Sequence, residues 1–199
     1  MNLPNAITLS RIPLTFVIGG LVYCEWRGAA SLAFVLFILA AVGDWLDGYL
    51  ARKRGQVSNF GKFMDALSDK ILVLGLVIVL VDKHRIPAML AVLTLCRDFL
   101  VTGMRMVAAS KGIIVAADKG GKSKTVTQLI ALGFFLAAPM VGNDGSHFAH
   151  TDFTDAAVVM DRIGLWIFVA GTLLSVWSGW RYTARYGRVV FAEDGPPAQ

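Results

Sequence analysis

Four aspartates pose the chemical question in this sequence. Asp44 and Asp47 stand three residues apart and Asp65 and Asp69 four apart, within the stretch DWLDGYLARKRGQVSNFGKFMDALSD. On an α-helix, residues three and four apart share a face, so Asp44, Asp47, Gly48 and Ala51 form one strip and Gly61, Asp65 and Asp69 another. Four ionised carboxylates brought together repel, and protons or hard cations must offset them. A donor set made only of oxygen suits magnesium or manganese, so a divalent-metal centre is expected. Gly48, Ala51 and Gly61 leave room for a ligand or a neighbouring helix to approach the backbone, and Arg52 supplies a donor fork matched to phosphate. Together these residues point to a pyrophosphate-containing substrate. Pairing of Asp44 and Asp47 with Arg52 or Arg54, or of Asp69 with Lys70, accounts for any one carboxylate but not for four in this register.

The elements that must position these strips are apolar. The chain of 199 residues is 56% hydrophobic, with a mean hydropathy of +0.62, which predicts an all-α membrane bundle rather than a soluble domain. Six segments stand out, at 7–23, 29–51, 61–81, 87–108, 125–141 and 162–182. Each approaches the ~20 residues that a helix needs to cross ~30 Å of hydrocarbon. The connection RKRGQVSNF is short, so the second and third segments are expected to be antiparallel neighbours with their acids at one depth. Arg11, Arg52, Lys53, Arg54, Lys62, Lys111, Lys119, Lys122 and Lys124 fall on one side of the six crossings, which places both termini and the acids in the cytoplasm, at the inner (cytoplasmic) membrane. No segment has the form of a cleaved leader. Residues 1–185 are expected to form one membrane domain, and 186–199 a short disordered cytoplasmic tail.

The formal charge of +5 does not imply nucleic acid, because the cations collect beside apolar segments and no recognition module accompanies them. Anionic phospholipid and phosphate are the expected partners. Cys24 and Cys96 read as packing residues. The polar stretch 141–161 reads as an outside loop, and its His147 and His150 match no metal-site spacing. Trp26, Trp166, Trp177 and Trp180 fit interface packing better than a sugar platform.

Asp44, Asp47, Gly48, Ala51, Arg52, Gly61, Asp65 and Asp69 occupy every fixed position of a pattern that resembles the signature of the CDP-alcohol phosphatidyltransferases. The resemblance covers residues 1–185. It implies a six-helix membrane enzyme, homodimeric, that transfers a phosphatidyl or related group from a CDP-linked donor to an alcohol and releases CMP. By resemblance, Asp44, Asp47 and Asp65 are the main ligands of two Mg2+ or Mn2+ ions, and Asp69 completes the site and acts as base. Asp44, Gly48, Ala51, Arg52 and Gly61 would contact or shape the CDP portion. No serine, cysteine or histidine nucleophile stands near the acids, which favours direct attack by the acceptor. NLPNAITLSR, CRDFLVTGMR and GKSKTVTQ are most similar to the branch that uses CDP-diacylglycerol and glycerol 3-phosphate. Asn5, Thr8 and Arg11 then become donor contacts or a helix start, and Arg105, Lys122 and Lys124 contacts to the acceptor's phosphate. Arg97-Asp98 replaces a common Arg-Glu and is either an internal pair or a substrate contact. Acceptors weighed against glycerol 3-phosphate are phosphatidylglycerol, as in cardiolipin synthesis, inositol phosphate and serine; a metal-ion transporter is the remote alternative.

Overall fold

A computed structural model describes the backbone of residues 3–53, 59–110 and 119–191, and the side chains of residues 10–43, 70–108, 110, 124–185 and 187. The described chain is an all-α bundle: α1 (Leu3–Tyr23), α2 (Ala29–Lys53), α3 (Asn59–Asp82), α4 (Ala88–Ser110), α5 (Lys119–Pro139), a π-helical turn (Met140–Gly145), α6 (Ser146–Ala149) and α7 (Thr154–Phe191). Among the described residues α1 packs against both α2 and α3, and α2 and α3 meet chiefly through it. α5 joins α2 to α7, and α4 lies on α7.

Local chemistry ends the helices at one pole of the bundle. His84 adopts a left-handed conformation (φ 56°) after α3, and the amide of Arg85 returns to the Leu80 carbonyl at 2.9 Å. Pro87 then opens α4, where its missing N–H costs nothing. The N-terminus of α2 is capped from elsewhere in the chain. Buried Asp144 accepts from the amides of Gly28 (3.0 Å) and Ser31 (2.7 Å) and from the Ser31 hydroxyl (2.6 Å), which satisfies free amide donors with a negative charge at the positive end of the helix.

The stretch 141–161, expected as a loop, is mostly helical here. α5 passes through the π-helical turn into α6, and α7 begins at Thr154, where Asp152 accepts from the Thr154 amide at 2.9 Å. Polar residues in this stretch serve as caps and ties, so composition alone reads it as loop. α7 also runs on to Phe191, into the segment expected to be a tail, and residues 192–199 lie outside the described residues.

Ile18, Phe37, Leu72, Leu76, Leu80, Leu132, Phe135 and Phe168 form one apolar core between α1, α2, α3, α5 and α7. The outer surface is apolar as well: Phe16 is 74% and Trp166 72% exposed, with Phe99, Met106 and Leu173 also exposed. Large apolar side chains turned outward on several helices fit association with a membrane. Among the described residues two helices, Lys124–Ala149 and Thr154–Arg185, are long and apolar enough to cross one, while Ser10–Tyr23 and Ala29–Gly43 are shorter apolar helices.

The α1–α3 contact is close. A Cβ added at Gly75 would lie 2.6 Å from the Thr15 methyl carbon. Gly75→Ala should therefore destabilise the protein by about 1–3 kcal/mol. Adding Thr15→Ser removes that methyl and keeps the hydroxyl that donates to the Arg11 carbonyl. Thermal unfolding in detergent should show the loss in the single variant and its recovery in the double one.

Candidate active site

The aspartate strips lie on helices whose buried faces lead to them. In α2, Ala33, Phe37 and Ala40 are buried; seven residues after Phe37 and Ala40 come Asp44 and Asp47, and seven after Asp44 comes Ala51. In α3, Leu72 and Leu76 are buried, and seven residues before them stand Asp65 and Asp69. Seven residues are close to two helical turns, so each strip stands in helical register with buried positions of its own helix. The connection 54–58 keeps the two helix ends close in the chain. The side chains of Asn5, Thr8, Asp44, Asp47, Gly48, Ala51, Arg52, Gly61, Asp65, Asp69 and Lys122 lie outside the described residues, and their helices are α1, α2, α3 and α5.

Arg11, Arg105 and Lys124 are described. Arg11 is buried in α1. Arg105 of α4 holds its guanidinium 5.5 Å from the centre of the Tyr182 ring of α7, and its buried Nε has no hydrogen-bond partner among the described residues. Lys124 is buried at the start of α5 and donates to Asp98 of α4.

Asp98 belongs to a polar stripe along α4 that ties the helix to three others. Thr94 shares a hydrogen bond with Thr172 of α7 at 3.1 Å. Asp98 receives Lys124 of α5, and Thr102 receives Lys70 of α3, the residue after Asp69. Thr94, Asp98 and Thr102 are spaced by four and share one face. Beside them Arg97 donates to the Ser175 carbonyl (2.9 Å), the Ser178 hydroxyl (3.2 Å) and Asp98 (3.3 Å). A carboxylate that pairs with two cations while its arginine partner is held by the backbone of another helix is a braced ion pair. Arg97 and Lys70 both lie within electrostatic range of Lys124, so the middles of α3 and α4 and the start of α5 form one charged neighbourhood. Arg97-Asp98 is thus an internal pair in this structure.

Sequence reasoning did not single out Thr94, Thr102, Ser175 or Ser178. The available signal was polar residues every fourth position in an otherwise apolar helix.

The comparisons with known proteins agree on one family. The family model for CDP-alcohol phosphatidyltransferase matches residues 1–177. The chain is 39% identical over 196 residues to a CDP-diacylglycerol–glycerol-3-phosphate 3-phosphatidyltransferase of Bacillus subtilis (strain 168), covering 92% of this chain and 94% of the relative. It is 34% identical over 185 residues to a protein of the same name from Rickettsia typhi (strain ATCC VR-144 / Wilmington), covering 93% and 98%. It is 32% identical over 206 residues to CDP-diacylglycerol–glycerol-3-phosphate 3-phosphatidyltransferase 2 of Arabidopsis thaliana, covering 96% and 82%.

Arg97→Met should remove the bonds to Ser175 and Ser178 and destabilise the protein by roughly 3 kcal/mol, the scale for breaking one side of a buried charged network. Arg97→Lys should rescue little, because one ammonium cannot reproduce a planar fork that reaches two acceptors and a carboxylate. Unfolding midpoints of both variants in detergent, compared with that of the parent protein, test this bracing.

Proposed function

The chain belongs to the CDP-alcohol phosphatidyltransferase family, and we propose from that premise that it transfers the phosphatidyl group of CDP-diacylglycerol to glycerol 3-phosphate, giving phosphatidylglycerophosphate and CMP. The observation that carries this reading is near full-length similarity to relatives named for that donor and acceptor.

Asp44, Asp47, Asp65 and Asp69 would hold two magnesium or manganese ions, because the set is all carboxylate and its positions continue the inner faces of two helices that the 54–58 connection joins. Bound there, the ions offset the charge of the donor's phosphates and of the phosphorus transition state. Gly48, Ala51 and Gly61 admit the CDP portion close to the backbone, and Asp44 and Arg52 contact it. Asn5, Thr8 and Arg11 border the donor from α1. Asp69 takes the proton of the acceptor hydroxyl while that oxygen bonds to the phosphatidyl phosphorus, and the bond from phosphorus to the CMP oxygen breaks. Arg105, Lys122 and Lys124 bring positive charge to the acceptor's phosphate.

The setting that supports this chemistry is a six-crossing fold, residues 1–185, in the inner (cytoplasmic) membrane, with both termini and the site toward the cytoplasm. The enzyme works there as a homodimer among membrane phospholipids. The apolar outer surface and the Lys and Arg bias support this arrangement.

CMP release should require CDP-diacylglycerol, glycerol 3-phosphate and Mg2+ or Mn2+ together. Competition with phosphatidylglycerol, inositol phosphate and serine, read by mass spectrometry of the lipid product, should still give phosphatidylglycerophosphate; another dominant lipid would displace the acceptor assignment. Asp69→Asn keeps side-chain volume and removes the base, so turnover should collapse while CDP-diacylglycerol still binds. Near-normal turnover of a folded, metal-loaded Asp69→Asn protein rules out the base role. Lys122→Ala should raise the acceptor KM by about 10- to 150-fold, the scale of one lost ionic hydrogen bond, with little change for the donor. An unchanged acceptor KM removes Lys122 from the pocket.

A further inference from the structure

We infer that Asp98 is a positioning residue for the acceptor's anionic group, acting through Lys124; this rests on the acceptor assignment above. Lysine carries a long, flexible stem and ordinarily extends its ammonium toward water. Lys124 does not: its side chain is 5% exposed and its ammonium is held by Asp98 Oδ1, with Asp98 itself only 12% exposed. Asp98 has little freedom to yield, because Arg97 approaches the same oxygen at 3.3 Å and is fixed in turn on the Ser175 carbonyl and the Ser178 hydroxyl of α7. The ion pair therefore sets the first turns of α5 against α4.

Two features make that register matter for the acceptor. Lys122 precedes Lys124 by two residues on α5, so the turn that carries it is anchored by the Asp98–Lys124 pair. Arg105 follows Asp98 by seven residues on α4, two turns along nearly the same face. Its Nε is buried and has no hydrogen-bond partner among the described residues, which leaves a donor available to an anion. One carboxylate thus fixes the spacing between the cations of α4 and those of α5. A phosphate that bridges the two helices is sensitive to that spacing, whereas the CDP-linked donor, assigned to α1, α2 and α3, is not.

The test uses purified full-length protein in detergent-lipid micelles, with kcat, both KM values and the unfolding midpoint measured for each variant. Asp98→Asn should raise the glycerol 3-phosphate KM about tenfold, the effect of one weakened charge-assisted contact, and leave the CDP-diacylglycerol KM within about twofold. Asp98→Glu retains the carboxylate and should keep the acceptor KM within about threefold of the parent value. Asp98→Asn leaves Lys124 buried without its counter-charge, so Lys124→Gln and the double variant Asp98→Asn/Lys124→Gln, which removes both charges, complete the cycle. If Asp98 acts through Lys124, the double variant should match Lys124→Gln in acceptor KM. An unchanged acceptor KM in Asp98→Asn, equal changes in both KM values, or effects that multiply in the double variant would overturn the inference. CMP release by the parent protein with a different phosphorylated alcohol would instead displace the acceptor assignment, and the same comparison made on that alcohol then decides the role of Asp98.

Discussion

The part-buried carboxylate of Asp98, shared by Arg97 and Lys124, is the constraint on which the polar half of this bundle depends. Charges inside an apolar helical protein are tolerated only when paired and hydrogen-bonded, and removing one partner leaves an uncompensated charge that costs several kcal/mol. α4 resolves this by tying its polar side chains to three neighbours: Thr94 and Arg97 to α7, Asp98 to α5 and Thr102 to α3. Apolar packing between helices tolerates sliding by a turn, since one leucine-lined groove resembles the next. A directional bond between Arg97 and one particular carbonyl does not, so the stripe adds its own constraint to the register set by the core.

The two poles of the bundle are built differently because they carry different burdens. At the pole of the 83–87 turn the polar groups satisfy one another: Asp144 caps α2, Arg85 bridges Asp161 and the Phe135 carbonyl, and Tyr23 donates to Asp82 at 2.7 Å. Those contacts close helix ends and join neighbouring elements. Toward the opposite pole, where α2 ends and α3 begins, the sequence places the four aspartates, while α4 and α5 carry Arg105 and Lys124. Arg105 keeps a buried donor atom without a hydrogen-bond partner among the described residues. A closed pole ties helix ends to one another, and a pole with donor capacity to spare suits the charged substrate of the proposed reaction.

How far this was legible in the residues depends on whether the information is local. The strips were visible because three- and four-residue spacing survives in any linear reading, and the period of seven that leads from Phe37 and Ala40 to Asp44 and Asp47 lies in the same spacing. The all-α class follows from long apolar runs. Lys124 shows where such reading stops: its position within GKSKT marks it as a cation near phosphate, yet its partner is Asp98, 26 residues away, and nothing local names that partner. Asp144 is a stronger case, since it caps a helix more than a hundred residues earlier in the chain. The segment around Thr154 reads as loop because its polar residues serve as caps and ties, and a composition rich in such residues does not distinguish a capped helix from a solvated turn.

The proposed reaction gives this division of charge a physical reason. Its donor brings two acyl chains that belong in hydrocarbon and a pyrophosphate that does not, and its acceptor is a small anion that arrives from water. A site that serves both must stand where an apolar flank meets an aqueous end, and must receive the two anionic groups from separate sides so that their repulsion does not exclude the second. Aspartates on α2 and α3, offset by divalent cations, suit the pyrophosphate. Cations on α4 and α5 suit the acceptor without a metal between them. The two sets need a fixed separation, because a hydroxyl that stands an ångström too far from phosphorus loses most of the benefit of being held at all. Lys70 of α3, next in sequence to Asp69 and bonded to Thr102, joins the acid-bearing helix to the same stripe on α4 that anchors Lys124. In the proposed reaction the polar stripe is therefore the part of the fold suited to hold the two binding surfaces at one separation.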